Sequence, residues 1–515
     1  MNVSLISTDD DLWAFGVRLI SSVLKRAGHS TRLILLPSQS AEYSAEVLDG
    51  ARQLARASDL IGIGCCYRGS RRARQVAAAM RALGKPIVWG GLHASLNPAE
   101  CAEAADIVCR GEGEETILEL LESLEDGRSW EQIRNLAYRK GEELVLNPLR
   151  PPIADLDTLP LPDFDRVNEF HLSRGRLTKA PSDPKLAHSP RLLFIGSRGC
   201  ALHCTYCCNR KVKEMYAGHG RYLRRMSPAR YVEQLATLYR RHFPKATDVF
   251  LMDEDFFLRS ADEIREFAGL YRARVGLPFD CMVSPPRIAD EKVRLLAEAG
   301  LWRISLGVES GSERTKKEVF DRPIPNETVL RASRTIARHP PVMPCYFFII
   351  GNPYDERQDL LDTLALMTRL EYPYLADIYS LVLFPGSELF ARAMRDGIIT
   401  GARDSGADQH FRAALHCRGQ ARKQKNLYLN TLLFLTEGKA TRRRLGLLPR
   451  GWIPFLTRPG TIDFMDRQPT VCRLAVSAQA LLRRARTGIG VVLKKLVKNP
   501  ADAYNLPRYL KRKLA

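Results

Sequence analysis

The sequence has no apolar stretch long enough to cross a membrane. A spanning helix needs about 18 apolar residues in a row, and no run in this chain approaches that length. The first residues are acidic and lack the charged and then apolar layout of a secretory signal. We therefore expect a cytoplasmic protein whose cysteines are reduced thiols or metal ligands rather than disulfides.

Internal repeats and low-complexity tracts are also missing, and 35 Gly and 30 Pro in 515 residues are too few for a disordered chain. Acidic residues are the scarcer charge, with 58 Asp and Glu against 78 Lys and Arg, a net charge of +20. Residues 470–515 alone hold eleven basic residues and one acidic residue. This excess favours an anionic partner such as nucleic acid, a membrane surface or a phosphorylated substrate.

Residues 1–125 alternate short apolar segments with helix-like segments. The pattern predicts a first helix over 15–27 and five strands, at 3–7, 31–36, 59–65, 86–89 and 106–109. Such alternation is typical of a doubly wound, Rossmann-like parallel sheet. A sheet of this kind binds its ligands at the carboxyl ends of the strands.

The rest of the chain divides into three parts. Residues 126–190 are rich in Pro and Asp, which predicts a linker or strap between domains. Residues 191–390 return to strand–helix alternation, which predicts a full or partial barrel of the TIM type with its chemistry at the carboxyl strand ends. Its six predicted strands are 192–196, 248–252, 279–283, 303–307, 344–350 and 378–383. Residues 391–515 are expected to form a mainly helical, basic C-terminal domain.

Three cysteines are closely spaced after the first barrel strand, at Cys200, Cys204 and Cys207. Three thiolates within eight residues can wrap one cubane iron–sulfur cluster, and three ligands leave one iron open for a cofactor. Chance clustering is improbable with twelve cysteines in the chain. Zinc usually takes four protein ligands arranged in CxxC pairs, and the sequence lacks a second pair. Cys208 is a further thiol, but its spacing fits a cluster less well.

The CxxxCxxC spacing with Tyr206 before the last cysteine resembles the signature of the radical SAM superfamily, in the branch with an upstream cobalamin-binding domain. The resemblance implies a partial (β/α)6 barrel and a [4Fe-4S] cluster that reductively cleaves S-adenosylmethionine (SAM) to a 5′-deoxyadenosyl radical. Segments 252–255, 305–311, 346–353 and 384–387 match the family pattern in order, although the first lacks the family's glycines. The SAM contacts that the resemblance implies are Tyr206, Asp253, Glu254, Ser305, Glu309 and Ile350.

The N-terminal sheet resembles the family's cobalamin-binding domain, and the segment 156–165 resembles its strap. The D-x-H-x-x-G motif, whose histidine ligates cobalt in many cobalamin proteins, is absent. Its absence fits both an enzyme that leaves the lower face of cobalt without histidine and a sheet that has lost cobalamin. We expect His93 to be a wall residue rather than a ligand. The cobalamin-binding residues implied by the resemblance are Arg18, Tyr67, Gly90, Gly91, His93, Gly111 and Gly113.

The segments 488–497 and 504–514 mix apolar and basic residues. This pattern fits a helix on a membrane surface, a solvated helix packed on the barrel, or an RNA-binding segment. The sequence carries no RNA-binding domain signature, so nucleic acid is not expected as a partner.

The resemblance implies a cobalamin-dependent methyltransferase acting on an unactivated carbon. Two alternatives stay open: cobalamin-dependent radical chemistry without methyl transfer, such as cyclisation, ring rearrangement or lipid coupling, and radical modification of RNA. The expected partners are a small-molecule or lipid substrate, an electron donor such as flavodoxin or ferredoxin, and the membrane surface through the basic C-terminus.

Overall fold

The computed structural model describes residues 1–401, apart from 39, 41 and 181–188, together with 426–472, 474, 475 and 479. The described residues form two nine-stranded sheets and a short two-stranded ribbon. The first sheet contains β1 (Asn2–Ser7), β2 (Ser30–Leu35), β3 (Leu60–Gly64), β4 (Ile87–Gly90), β5 (Ile107–Cys109), β6 (Leu136–Lys140), β7 (Glu143–Leu146), β8 (Glu169–Ser173) and β9 (Arg176–Lys179).

The first sheet has the strand order β7-β6-β5-β4-β3-β1-β2-β8-β9, and its six central strands are parallel. Separate apolar cores cover its two faces, as expected of a doubly wound sheet. The order reverses between β1 and its neighbours β2 and β3, which creates a crevice at the carboxyl ends of the strands. Its helices are α1 (Phe15–Arg26), α2 (Ala45–Ala55), α3 (Ser70–Met80), α4 (Leu92–Leu96), α5 (Pro98–Cys101) and α6 (Glu114–Glu125).

Six of the nine strands in the second sheet are parallel and form a partial barrel. The barrel is open because, among the described residues, β10 pairs with β13 but not with β17. Its parallel strands are β10 (Arg191–Phe194), β13 (Asp248–Leu251), β14 (Phe279–Val283), β15 (Leu301–Glu309), β16 (Met343–Ile350) and β17 (Tyr374–Ser380). The ribbon of β11 (Ser197–Arg198) and β12 (Arg224–Arg225) follows β10. The helices of this part are α7 (Cys208–Met215), α8 (Pro228–Thr237), α9 (Ala261–Arg274), α10 (Asp290–Glu298), α11 (Asn326–Ala337), α12 (Arg357–Arg369) and α13 (Glu388–Arg395).

Successive side chains of each barrel strand point alternately to the core under the helices and to the lumen of the barrel. On β15, Ile304, Leu306 and Val308 belong to the large core under the helices. Ser305 and Glu309 project from the opposite face, into the lumen, because successive side chains of a strand alternate.

The segment expected to be a linker contributes four strands to the first sheet. β6 and β7 form an antiparallel hairpin beside β5, and β8 and β9 form a second hairpin beside β2. These strands are short and carry half-exposed polar residues, so they lack the apolar runs that marked the other strands. The intervening strap packs Leu156, Leu159 and Phe164 into the barrel core.

The C-terminal region also contains strands that the sequence did not predict. β18 (Gly438–Ala440), β19 (Arg444–Leu445) and β20 (Leu448–Pro449) extend the barrel sheet in antiparallel fashion from β17. The helices are α14 (Leu427–Leu435), α15 (Ile453–Leu456) and α16 (Pro459–Asp466). The basic segments 488–497 and 504–514 lie outside the described residues. Within the described part, no helix combines the length and the apolar character that a membrane crossing requires.

Candidate functional site

The three cysteines lie on one loop between β11 and α7. Cys204 is buried, while Cys200 and Cys207 are half-buried. Burial raises the pKa of Cys200 to about 12, and the charges of the neighbouring Cys207 and Cys204 add to this rise. The loop begins at Gly199, whose φ of +89° and close approach to the Tyr222 carbonyl leave no room for a side chain. The three thiols thus lie on one loop, near enough for the charges of Cys204 and Cys207 to act on Cys200.

The donor set fits an iron–sulfur cluster. In the described residues, no group of three or more His, Cys, Asp or Glu side chains could hold a single metal ion. A cubane cluster binds each thiolate to a different iron, so its ligands stay farther apart than the ligands of one ion. Cys208 lies against Cys207, where its hydrogen bond raises the pKa of the Cys207 thiol. Three soft donors on one accessible loop are the ligands that such a cluster requires.

A buried polar network supports Cys204. Arg322 Nη1 donates to Cys204 Sγ at 3.5 Å, and Tyr206 also hydrogen-bonds this sulfur. Tyr206 hydrogen-bonds Glu309 as well, and its ring packs edge-on against Phe320 at 4.9 Å. Burial raises the pKa of Glu309, while the charge of Arg322 and the hydrogen bond from Tyr206 oppose that rise. Sequence reasoning missed Arg322, because nothing in its local sequence marks it as buried.

Ser305 and Glu309, both implied as SAM contacts, lie on the lumen face of β15. Ser305 is buried and its Oγ has no hydrogen-bond partner among the described residues. A buried hydroxyl without a protein partner leaves a hydrogen bond for a ligand or a water molecule to complete. Glu309 has a φ of +70° at a β-bulge, and this left-handed conformation is rare for a residue with a side chain. The bulge turns its carboxylate toward Tyr206.

Asp253 and Glu254 follow β13 but differ in environment. Asp253 is fully buried, accepts a hydrogen bond from Tyr231 at 2.6 Å and pairs with the buried Arg259 at 3.3 Å. This carboxylate supports the barrel wall rather than facing a ligand. Glu254 lies beside the cysteine loop, where its charge contributes to the raised pKa of Cys200, and Asn209 hydrogen-bonds it. Only Glu254 of this pair is placed near the expected SAM site.

Ile350 is not on the lumen face. It is fully buried in the core beneath the helices, together with Tyr346 and Phe348 of the same strand. Its neighbour Ile349 lies on the other face and packs in the cluster that contains Tyr206. Because strand side chains alternate, an error of one position exchanges core and lumen. Ile349, not Ile350, is therefore the residue of this strand end whose side chain lies on the lumen face.

A cavity of about 440 Å³ lies at the carboxyl ends of the first sheet. Most of its lining is apolar, and glycines form much of its floor, which lets a large flat ring approach the backbone. No histidine belongs to its described lining, so the walls offer no imidazole to a bound metal. The glycines that line it are Gly16, Gly62, Gly64, Gly90, Gly91, Gly111 and Gly113 of the first sheet and Gly196 of the segment after β10.

The space around these glycines differs: some are required for close packing of the fold, and others are not. A Cβ at Gly64 would lie 2.6 Å from a methyl of Val17, and one at Gly111 would lie 2.2 Å from the Tyr216 hydroxyl. These two glycines permit close packing of the fold. A Cβ at Gly90 would make only ordinary contacts with Cys109, the nearest at 3.7 Å, so close packing does not require a glycine at this position. Four expected cobalamin-binding glycines, Gly90, Gly91, Gly111 and Gly113, line the cavity.

The side chains that the resemblance implied for cobalamin lie elsewhere. Arg18 is fully buried and forms two hydrogen bonds with Glu169, at 2.7 and 2.8 Å, so it anchors β8 rather than the cavity. Tyr67 packs between His93 and Phe384. His93 is buried, with its Nε2 3.4 Å from a carboxylate oxygen of Glu100. Neither His93 nor Tyr67 lines the cavity, so His93 is not among the wall residues of the cavity where the sequence placed it.

An ionic clamp joins the cavity to the loop that precedes the cysteines. Arg224 of β12 donates to both carboxylate oxygens of Glu112, at 2.6 and 3.0 Å. Arg198 of β11 lies 3.1 Å from Glu112 and also pairs with Glu114. Burial would raise the pKa of Glu112, but Arg224 and Arg198 outweigh burial and lower it. Tyr216 adds a contact by accepting a hydrogen bond from the Glu112 backbone at 2.8 Å.

Two family models match separate parts of the chain. Residues 1–121 match the B12 binding domain, and residues 194–367 match the radical SAM superfamily. The first match covers the sheet that holds the cavity, and the second covers the cysteine loop and most of the barrel. The order of the two domains agrees with the order expected from the sequence.

Comparison with known proteins identified both methyltransferases and a cyclase. The cytidylyl-2-hydroxyethylphosphonate methyltransferase of Streptomyces wedmorensis is 24% identical over 440 residues, which cover 75% of this chain and 79% of the relative. The anaerobic magnesium-protoporphyrin IX monomethyl ester cyclase of Cereibacter sphaeroides is 25% identical over 326 residues, covering 60% and 48%. The solved radical SAM methyltransferase TsrM of Kitasatospora setae has the same fold, with a TM-score of 0.61 at 16% identity over 77% of this chain and 76% of TsrM.

Proposed function

Because this chain belongs to the radical SAM superfamily and joins a B12-binding domain to the radical SAM domain, we propose that it is a cobalamin-dependent methyltransferase acting on an unactivated carbon. One observation carries the proposal. The residues that lead into the cysteine loop, Ile195–Arg198, line the same cavity as the glycine floor of the first sheet. A methyl group held in that cavity would therefore lie close to a radical generated at the cysteine loop.

The bound groups supply the reactive chemistry, namely a 5′-deoxyadenosyl radical from the cluster and SAM, and a methyl group from cobalamin. The chain positions them. In this proposal Cys200, Cys204 and Cys207 hold the cluster, while Ser305 and Glu254 contact SAM. The apolar walls of the cavity exclude water from reactive species.

The identity of the products formed from SAM tests the proposal without knowledge of the substrate. Full-length protein would be reconstituted anaerobically with iron, sulfide and hydroxocobalamin, then given reductant and SAM labelled with deuterium in its methyl group. We expect S-adenosylhomocysteine with labelled methylcobalamin, and separately 5′-deoxyadenosine. Failure to form S-adenosylhomocysteine in protein that holds cobalt would reject methyl transfer.

Two matched variants separate the two half-reactions. Cys204→Ala should abolish 5′-deoxyadenosine while preserving labelled methylcobalamin, because it removes a cluster ligand and leaves the cavity intact. Gly90→Phe should do the reverse, because a phenyl ring at this position fills the cavity. If both products fall together in both variants, the two sites are not independent and the proposed division of roles is wrong.

A second candidate function is radical chemistry without methyl transfer. The observation that favours it is the similarity to the cyclase over 60% of this chain. The domain order is the same for both reaction classes, so product mass discriminates between them. A methylated product is heavier than its substrate by one CH₂ group, whereas a cyclised product gains no carbon.

We also propose that the protein is cytoplasmic and contacts an anionic membrane surface, with a lipid or small-molecule substrate. Three aromatic side chains are exposed on α15, on α16 and on the turn before them. The exposed fraction is 64% for Trp452, 56% for Phe455 and 63% for Phe464. Five exposed arginines lie in the same segment of the chain, and Arg458 packs over the Phe455 ring; they are Arg442, Arg443, Arg444, Arg458 and Arg467. Aromatic side chains beside basic ones suit the interface of an anionic bilayer.

Vesicle binding tests the membrane proposal. Protein should sediment with phosphatidylglycerol vesicles but not with phosphatidylcholine vesicles, and Trp452→Ala with Phe455→Ala should weaken sedimentation. Val167→Ala, at a residue that is 71% exposed on the strap, is the matched control. If the variant with Trp452→Ala and Phe455→Ala sediments with anionic vesicles as fully as the original protein, the aromatic patch is not the membrane contact.

A low-potential electron donor such as flavodoxin or ferredoxin is the proposed reductant. Lys211 and Lys213 lie on α7, directly after the cysteines, and Lys213 contacts the exposed His203 at 2.9 Å. A basic surface next to the cluster suits an acidic donor. Lys211→Glu with Lys213→Glu should slow cluster reduction by flavodoxin, while Lys140→Glu, at an exposed position of the first sheet, should not. An unchanged rate would place donor docking elsewhere.

A further inference from the structure

Arg322 places a buried cation against a cluster ligand. Its Nη1 donates to Cys204 Sγ at 3.5 Å and its Nη2 donates to the Gly307 carbonyl at 2.7 Å. The side chain is almost fully buried, and its Nε has no hydrogen-bond partner among the described residues. A guanidinium in such a position needs a counter-charge, because an unpaired buried ion is strongly destabilising.

Cys204 is the group that can supply this counter-charge by direct contact. Within the described residues, no carboxylate forms an ion pair with Arg322 at or below 4.0 Å. Glu309 and Tyr206 act on Arg322 from the same pocket, and Tyr206 also hydrogen-bonds the sulfur. A neutral thiol is a weak acceptor, whereas a thiolate offers a full negative charge to the donor. The contact therefore suits a cysteine that is bound to iron as its thiolate.

The backbone ties Arg322 to the cysteine loop. Thr205, which follows Cys204, donates its N–H to the Phe320 carbonyl at 3.0 Å and its hydroxyl to the Val319 carbonyl at 2.6 Å. The intervening Asp321 has a φ of +45° and accepts a hydrogen bond from Arg210 at 2.6 Å. The position of the guanidinium is thus set relative to the sulfur rather than to a distant part of the fold.

β15 leaves space for the guanidinium at Gly307. A Cβ added at this glycine would lie 3.1 Å from Arg322 Nη2 and 2.5 Å from a carboxylate oxygen of Glu309. The bulge between Gly307 and Glu309 turns that carboxylate into the same pocket. The strand end is therefore shaped to hold Arg322 next to Cys204.

We propose that Arg322 is a positioning residue that raises the reduction potential of the iron–sulfur cluster by hydrogen-bonding the Cys204 thiolate. Hydrogen bonds to ligand sulfur and nearby positive charge favour the reduced, more negative cluster. In this step a low-potential donor loses one electron and the cluster gains it, while no covalent bond changes and Arg322 keeps its protons. The inference rests on the proposed cluster ligands Cys200, Cys204 and Cys207.

An anaerobic redox titration monitored by electron paramagnetic resonance tests the proposal on full-length, reconstituted protein. Arg322→Gln removes the charge and should lower the equilibrium constant for reduction about tenfold, which is about 59 mV for one electron. Arg322→Lys keeps the charge without the planar fork and should shift the potential less. Lys316→Met is the matched control, because Lys316 is a buried cation of the same segment that donates to Ile324 and Asn326 instead.

The outcomes separate the role of Arg322 from the cluster assignment. Equal potentials in the original protein and Arg322→Gln would overturn the role of Arg322 alone. Loss of iron from both Arg322 variants, with iron retained in Lys316→Met, would also overturn it, since Arg322 would then be required for cluster binding rather than for its potential. If the original protein takes up no iron and sulfide, the cluster assignment itself fails.

Discussion

The cavity of the first sheet and the cysteine loop achieve ligand binding by opposite means. The cavity depends on the absence of side chains, at glycines such as Gly90 at the end of β4 and Gly113 just before α6. The cysteine loop depends on side chains, the three thiols and the buried network of Arg322 and Glu309 behind them. The comparison indicates that the first site is disrupted by adding atoms and the second by removing them.

The largest expected effect is the loss of iron on substitution in the cysteine loop. Cys204→Ala should abolish iron and sulfide binding, because two remaining thiols cannot hold a four-iron cluster. Cobalt binding should persist, since the cavity lies on another sheet. Metal analysis of reconstituted protein measures both. Cys208→Ala is the control and should retain iron; iron retained at full occupancy in Cys204→Ala would contradict the assignment.

Charge in the first domain should matter for folding rather than for ligand binding. Glu169→Gln leaves the buried Arg18 without its counter-charge, and breaking a buried pair typically costs about 3–5 kcal/mol. Urea unfolding of the apoprotein should report this loss in the first domain, with Glu143→Gln on the exposed edge hairpin as the control. If the variant is as stable as the original protein but binds no cobalt, Arg18 and Glu169 belong to the site after all.

The cavity itself should be sensitive to bulk. Gly90→Phe should lower the affinity for cobalamin at least about tenfold, equivalent to about 1.4 kcal/mol, because the ring occupies space that the corrin needs. Iron binding should be unchanged. The control is Gly269→Phe, at a helical position with open space around it. Normal cobalt uptake by Gly90→Phe would show that the ligand lies elsewhere.

The smallest expected effect is the pH dependence of the pair at Glu169. Burial alone would raise the pKa of Glu169, but hydrogen bonds from His171 and Arg18 outweigh it and lower this pKa from 4.5 to about 2. A depressed carboxyl pKa stabilises the fold above its unfolded value, and this stability is lost as pH falls through that range. The difference in unfolding free energy between the original protein and Glu169→Gln should shrink below pH 4.5, by at most about 1.4 kcal/mol per pH unit. A difference that is constant with pH would contradict this.

Apart from β8, the parallel strands of both sheets were predictable because each is an apolar run closed by a turn. Five N-terminal strands lie where the sequence placed them, whereas the last barrel strand begins at Tyr374 rather than at 378. The apolar residues 381–383 continue past the strand and obscured its end. The edge hairpins were missed because half-exposed strands have no such run.

The site was predictable where the chemistry depends on the backbone or on close spacing in sequence. Glycines of the cavity and the cysteine triad meet these conditions. Arg18 and Ile350 do not: the partner of Arg18 is Glu169, 151 residues away, and the face of Ile350 depends on strand parity. Arg322 lies 118 residues from Cys204, so only the folded chain shows their contact.

The ionic clamp of Glu112 and Glu114 with Arg198 and Arg224 has a consequence for engineering. A chimera that takes its first domain from a relative would inherit the donor's residues before α6 and keep the arginines of this ribbon. Unless the two acids were grafted as well, Arg198 and Arg224, which are balanced here, would carry unmatched positive charge between the exchanged domain and the barrel. Whether an exchanged first domain packs correctly against this barrel therefore depends on these four residues, independently of any cofactor.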